Sequence, residues 1–369
     1  MTSMRMATIG TSAITERLLA AASEVDDIDY VGTFSRDEEK AAWFTERHGG
    51  TRPFASLDEL CASDEVDAVY VASPNARHLF QALACVRAHK HVLVEKPACA
   101  NRAEAEELFS AAEEAGVIAL EAMRPVHDPA WGVIVAALDR LAPLRRVTLR
   151  FGKYSSRYDE VLAKRHTNIF DARLATGALM DIGIYCVEPM CALFGTPDRV
   201  ASSVTLVSDR DNALTGGAID GAGSALCVYD DSEQDGALTV ELAWSKVTQD
   251  LLPCQFEGER GTLTLDHVSV PSAGELRPRG RVVPGADTGA AGAAEAEALA
   301  IEPCENTMVH ELRDFCALAA GEPIDTIWGE RLDATQAYER FRDVTLAALG
   351  VTDEIRAQAG IAFPADGER

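Results

Sequence analysis

The sequence predicts an α/β fold: a doubly wound parallel sheet, then an α+β domain with an open, mostly antiparallel sheet. Three observations carry this. Up to about Arg124 short apolar strands alternate with helix-length segments, the pattern of a parallel sheet with crossover helices. Beyond it strands follow one another across hairpin turns, which implies antiparallel pairing. The chain has 369 residues, 47% hydrophobic and 25% charged, enough for two globular cores.

Met6-Ala7-Thr8-Ile9 reads as the first, buried strand, and 13–23 as a helix. Tyr30-Val31-Gly32-Thr33-Phe34 is the second strand, with a helix over 37–47. Ala68-Val69-Tyr70-Val71-Ala72 is followed by a helix over 76–88, and His91-Val92-Leu93-Val94 by one over 103–115. Val117-Ile118-Ala119-Leu120 is the next strand. Helices are predicted at 130–141 and 178–193, with strands at 147–151, 200–207, 224–229, 237–244, 254–257 and 262–265. Segments 230–236 and 258–261 read as hairpin turns. The stretch 272–298, rich in Gly, Ala and Pro, reads as a mobile surface insertion. Helices at 307–320 and 332–349 close the chain, and the polar tail after Thr352 reads as fraying. The expected division is 1–124, 125–350 and a tail 351–369, with the C-terminal helices packing back on the first domain.

Net charge is −25 with no Lys/Arg cluster, which opposes nucleic-acid binding. No signal peptide and no apolar stretch of membrane-spanning length stands out. The nine cysteines are scattered and form no Cys-x-x-Cys, and the eight histidines lack ligand spacing. A cytoplasmic protein with reduced thiols, no metal and no membrane contact is expected.

After the first strand comes Gly10-Thr11-Ser12-Ala13-Ile14-Thr15 and then helix, the place of a dinucleotide fingerprint. Gly10 suits the tight turn, and Ser12 and Thr15 replace the later glycines. Gly10, Thr11, Ser12 and Ile14 are thus candidates for holding a pyrophosphate at a helix N-terminus. The second strand ends in Ser35-Arg36, with Lys40 one turn on. An NAD enzyme of this Rossmann type places an acid there for the ribose 2′-hydroxyl. A hydroxyl followed by arginine suits a 2′-phosphate instead, so NADP is favoured, with NAD as the alternative. Ser73-Pro74-Asn75 and His78 follow the third strand at the same sheet edge, beside the expected nicotinamide ribose.

Glu95-Lys96-Pro97 ends the fourth strand, where a lysine projects toward a ligand beyond the carboxyl edge. Lysine is also the side chain whose pKa falls readily when desolvated. Downstream, Asp181 and Tyr185 lie four apart in an apolar helix and would share one face. Polar groups on such a face are costly unless they meet a polar site. A nearby ammonium such as Lys96 would fit the phenol for proton transfer.

The segments IGTSAI, VYVASPNARH, HVLVEKPACAN, LEAMRPVHDP and GALMDIGIYCV resemble the Gfo/Idh/MocA oxidoreductase family, over 7–349. Tyr185, where many members carry histidine, is similar to the branch of glucose–fructose oxidoreductase and dimeric dihydrodiol dehydrogenase. The resemblance implies a Rossmann domain followed by an open-faced sheet domain whose face often serves dimerisation. It implies that Lys96 is the key catalytic lysine and that the Lys96–Pro97 bond is cis. Ser12, Thr15 and Thr176 depart from the family's glycine pattern.

The resulting expectation is an NADP-dependent oxidoreductase acting on a small polyhydroxylated substrate: a sugar, cyclic polyol or dihydrodiol. Tyr185 would be general acid/base, Lys96 would hold the substrate oxygen, and Asp181 would orient both. Glu95 and Lys96 join the cofactor-binding candidates. Arg124, Arg157, His166 and Asn168 are candidate substrate contacts. The alternative from another class is a dinucleotide-sensing protein without catalysis. A homodimer or dimer of dimers is expected, with Trp244 a candidate contact on the outer sheet face.

Overall fold

A computed structural model describes residues 3–207, 213–232, 236–280 and 294–367. The first sheet runs β1 (Met4–Ile9), α1 (Ala13–Ala22), β2 (Ile28–Phe34), α2 (Glu38–Arg47), α3 (Leu57–Ala62), β3 (Ala68–Val71), α4 (His78–Arg87), β4 (His91–Glu95), α5 (Arg102–Ala115) and β5 (Ala119–Ala122). Its five strands are parallel in the order β2-β1-β3-β4-β5. Strand order reverses between β1 and β3, so a crevice opens beyond their carboxyl ends, at Gly10 and Ala72. β5 starts two residues later than predicted. Gly116, left-handed at φ 67°, caps α5, and the Val117 N–H still bonds to the Ala112 carbonyl.

The second sheet contains β6 (Leu144–Gly152), β7 (Arg199–Leu206), β8 (Asp220–Ser232), β9 (Gly236–Ser245), β10 (Cys254–Gly258), β11 (Gly261–Leu265), β12 (Gly274–Pro278) and β13 (Glu297–Ala298). Their order is β13-β12-β11-β10-β6-β9-β8-β7. Every pairing is antiparallel except β6 with β9, which is parallel. That pair was not foreseen, because hairpins fix only sequential neighbours. Leu238, Val240, Leu242 and Trp244 alternate along β9 onto the buried face, against the helix Ile184–Phe194.

Four expectations need correction. Trp244 faces inward and is only 2% exposed, so it cannot meet a partner copy. The Gly-rich stretch contains strands β12 and β13, and its middle, 281–293, lies outside the described residues, as does part of the 230–236 turn. The tail does not fray within the described residues. The last helix, Ala334–Gln358, runs past its predicted end, and Arg356 and Asn101 both bind Asp366. The run Ala172–Phe194 is long and apolar enough to cross a membrane, but most of it is buried in the protein. Helix Met308–Ala320 packs on α1, and the last helix on α5 and β5.

Candidate active site

A cleft of about 790 Å³ lies between the carboxyl edge of the first sheet and the inner face of the second. One wall comes from the loops after β1, β3 and β4. Gly10 has φ 112°, and a Cβ there would sit 2.6 Å from the Ala72 carbonyl oxygen. Only glycine therefore lets β1 and β3 close on each other at the crevice. Ser12 caps α1 by position, yet its hydroxyl makes no capping bond. The first N–H groups of α1 are left without that side-chain acceptor, as an anion-binding N-terminus requires. Ser12 and Ile14 line the cleft; Gly10 and Thr11 are not part of its lining.

Past β2, Asp37 rather than Ser35 caps the next helix, accepting the Lys40 N–H at 3.0 Å. The Ser35 hydroxyl accepts the Asp37 N–H at 3.3 Å. Arg36 and Lys40 are exposed and make no ion pair among the described residues. Past β3, Ser73, Pro74 and Asn75 line the cleft. Asn75 donates across it to the Ala175 carbonyl at 2.8 Å. His78 is fully buried, with Nε2 at 2.8 Å from the Ser73 carbonyl and Nδ1 at 3.0 Å from that of Pro97. It stands between two loops of this wall; as a neutral imidazole it donates to one of these carbonyls, and burial disfavours the imidazolium that would donate to both.

Glu95 is buried. One oxygen accepts from the Tyr70 hydroxyl and the other from the Lys96 N–H at 3.2 Å. Burial raises its pKa, with Lys96 and Tyr70 opposing. The Lys96–Pro97 bond is cis, as the resemblance implied. The Lys96 ammonium donates to the Asp181 carbonyl at 2.5 Å, lies 3.2 Å from its carboxylate, and stands 4.9 Å from the centre of the Tyr185 ring. Burial works against the ammonium, but Asp181, Tyr185 and Glu95 outweigh it and raise its pKa. The expected fall of the lysine pKa is therefore reversed, because the carboxylate lies within ion-pair distance.

The opposite wall brings Asp181, Ile182 and Tyr185. The predicted helix begins as a π-helical segment, Leu179–Gly183, before turning α-helical at Ile184. Such segments recur at functional sites. Two groups distant in sequence hold it. Asp220 accepts the Leu179 N–H and the Trp244 indole N–H, both at 2.8 Å. Burial pushes the Asp220 pKa up to about 6, with the Trp244 and Leu179 bonds opposing. A Cβ on Gly183 would come within 3.0 Å of the Trp244 ring. Asp181 pairs with two ammonium groups, Lys96 and Lys246. Burial opposes its charge, but the two lysines prevail and hold its pKa at about 2. The Tyr185 hydroxyl accepts from Arg124 at 3.4 Å.

Sequence reasoning thus finds Lys96, Asp181, Tyr185 and Arg124 together, and Asn168 also lines the cleft. Asp181 contacts Lys96 but orients Tyr185 through no direct bond. Arg157 and His166 do not line the cleft; His166 pairs with Asp171 at 2.7 Å. The reading missed Lys246, Lys153 and Asp220. A lysine just past an alternating strand was the available signal for Lys246.

Residues 4–123 match the family model of an oxidoreductase family with an NAD-binding Rossmann fold. The chain is 34% identical to the NADP(+)-dependent scyllo-inositol 2-dehydrogenase of Bacillus subtilis, over 98% of this chain and 99% of that one. It is 30% identical to the trans-1,2-dihydrobenzene-1,2-diol dehydrogenase of Macaca fascicularis, over 46% of this chain and 50% of that one. Among solved structures it resembles a 3-ketoreductase from Actinomadura kijaniata in complex with NADP and TDP-benzene. The TM-score is 0.75 at 23% identity, covering 96% of this chain and 98% of that one.

Proposed function

This chain belongs to the Gfo/Idh/MocA oxidoreductase family, and we propose that it is an NADP-dependent enzyme oxidising or reducing a polyhydroxylated small molecule. The substrate class is a sugar, cyclic polyol or dihydrodiol. The observation that supports this best is the Lys96–Asp181–Tyr185 constellation, facing the same cleft as the uncapped N-terminus of α1. The residues fit the dinucleotide. Gly10, Ser12 and the α1 N–H groups would hold the pyrophosphate, and the unpaired Arg36 and Lys40 the 2′-phosphate. The Asp37 carboxylate, which an NAD enzyme would offer to the ribose, is engaged as a helix cap.

The nicotinamide, when bound, supplies the hydride acceptor or donor. The protein supplies position and the proton path. Arg124 donates to the Tyr185 oxygen, which leaves the phenol proton to be given to a substrate oxygen or received back through it. Lys96 keeps one donor beyond its two Asp181 bonds for that same oxygen. Asp181 fixes Lys96 from the opposite wall.

Two finer readings accompany this. The nine free thiols fit a reducing cytoplasm. The outer face of the second sheet, where Leu226 is 41% exposed, pairs two copies of the chain. Sedimentation showing only monomer at micromolar concentration would contradict the second. The function itself is tested by following nicotinamide reduction with a panel of aldoses, inositols and dihydrodiols. NADP-linked turnover of at least one class is expected. NADP that binds without turnover of any class would favour a sensor.

A further inference from the structure

The parallel pairing of β6 with β9 has a consequence at the cleft. Gly152 is opposite Ser245, so the next residues, Lys153 and Lys246, leave the two strands side by side. Pairing persists just beyond the strands. The Lys153 N–H bonds to the Ser245 carbonyl at 2.9 Å, and the Ser155 N–H to the Lys246 carbonyl at 2.9 Å. Both lysines line the cleft. Like charges in cross-strand register are destabilising unless something offsets them. Asp181 offsets Lys246 but is shared with Lys96. Lys153 is exposed and has no ion pair among the described residues.

The wider lining repeats the imbalance. It holds the cations Lys96, Arg124, Lys153 and Lys246 against two carboxylates, Asp181 and the buried Glu95. Tyr154 on the rim turns its hydroxyl away to Asp159 at 2.6 Å. The excess of cations stands in a chain of net charge −25. The proposed contacts to the dinucleotide's phosphates, Ser12 and Arg36, follow β1 and β2 of the first sheet, whereas Lys153 and Lys246 follow β6 and β9 of the second.

We infer that the substrate carries an oxyanion, a carboxylate or phosphate attached to its polyhydroxylated carbon skeleton, which Lys153 and Lys246 bind while the reacting hydroxyl faces Tyr185. Lys246 spends one donor direction on Asp181 and retains others; Lys153 has all of its donors available. This rests on the oxidoreductase reading above and names its substrate class more narrowly.

The test is calorimetric titration of glucose, gluconate, glucuronate and a hexose phosphate into protein first loaded with NADP. Wild type and Lys153→Gln are compared at low and high salt. An anionic sugar should bind roughly tenfold or more tighter than glucose. That advantage should shrink in Lys153→Gln and at high salt, while glucose moves much less. Carboxylate and phosphate probes show which oxyanion is preferred. Anions binding no tighter than glucose, not binding at all, or weakened by Lys153→Gln only as much as glucose would overturn the inference. Failure of the oxidoreductase reading shows separately, as no saturable NADP uptake in the loading step or as NADP uptake without turnover of any substrate class in the nicotinamide assay.

Discussion

The two walls of the cleft are made differently. The first is a set of short contiguous segments, each at the end of a parallel strand: Gly10 to Ile14, Ser73 to Asn75, Glu95 to Pro97. The second is assembled from Lys153, Asp181, Tyr185, Asp220, Trp244 and Lys246, which meet only through strand register and a π-helical turn. The first wall repeats a general device, the helix N-terminus at a sheet edge. The second depends on the particular pairing of two strands, and substrate choice is expected to reside there.

Mutations can sharpen this division. The largest effects belong where the walls meet. Lys96→Met should cut turnover by roughly 10²–10⁴-fold and leave NADP affinity nearly intact. Tyr185→Phe should do the same, with the double variant little worse than either, because the two act as a unit. Steady-state kinetics with parallel NADP titrations check this; near-wild-type turnover in Lys96→Met would remove the lysine from the mechanism.

Next in size is an effect confined to the first wall. Arg36→Ala should erase most of a ten- to a hundredfold preference for NADP over NAD, worth roughly 1.5–3 kcal/mol. NAD binding should barely change. Equal affinities of wild type for the two cofactors would mean that the exposed Arg36 does not read the phosphate.

The smallest effect is one of stability across the walls. The Asp181 pKa of about 2 lies below the ordinary aspartate value of 3.8. A depressed carboxylate stabilises the fold above its unfolded pKa and loses that contribution as pH falls through the folded one. The contribution is about 2 kcal/mol, present above about pH 4 and gone near pH 2. Denaturant midpoints of wild type and Asp181→Asn should therefore differ at neutral pH and converge on acidification. A gap independent of pH would show that the ion pairs are not its source.

The same division explains what the sequence disclosed. β1 to β4, Gly10 and Glu95-Lys96-Pro97 are legible because their patterns are local: apolar runs, a glycine turn, a proline. Lys153 and Lys246 are not, because nothing near either residue announces a parallel neighbour. The π-helical Leu179–Gly183 hides for the same reason, since its stabilising partners Asp220 and Trp244 come from β8 and β9. Trp244 was assigned to the wrong face because its parity along β9 was not counted against Leu238, Val240 and Leu242. β12 escaped notice because Gly274 and Pro278 bound a short strand that looks like loop.

The central claim is that this cleft transfers hydride between a substrate carbon and nicotinamide, with Lys96 needed for the transfer and not for holding the cofactor. It is tested most directly with the turned-over polyol deuterated at its carbinol carbon. Mass spectrometry then follows the label in the reduced dinucleotide of wild type and Lys96→Met. The account predicts deuterium in the cofactor with wild type, and almost none with Lys96→Met at full NADP occupancy. Turnover that leaves the cofactor free of deuterium, or equal labelling by Lys96→Met, would contradict it.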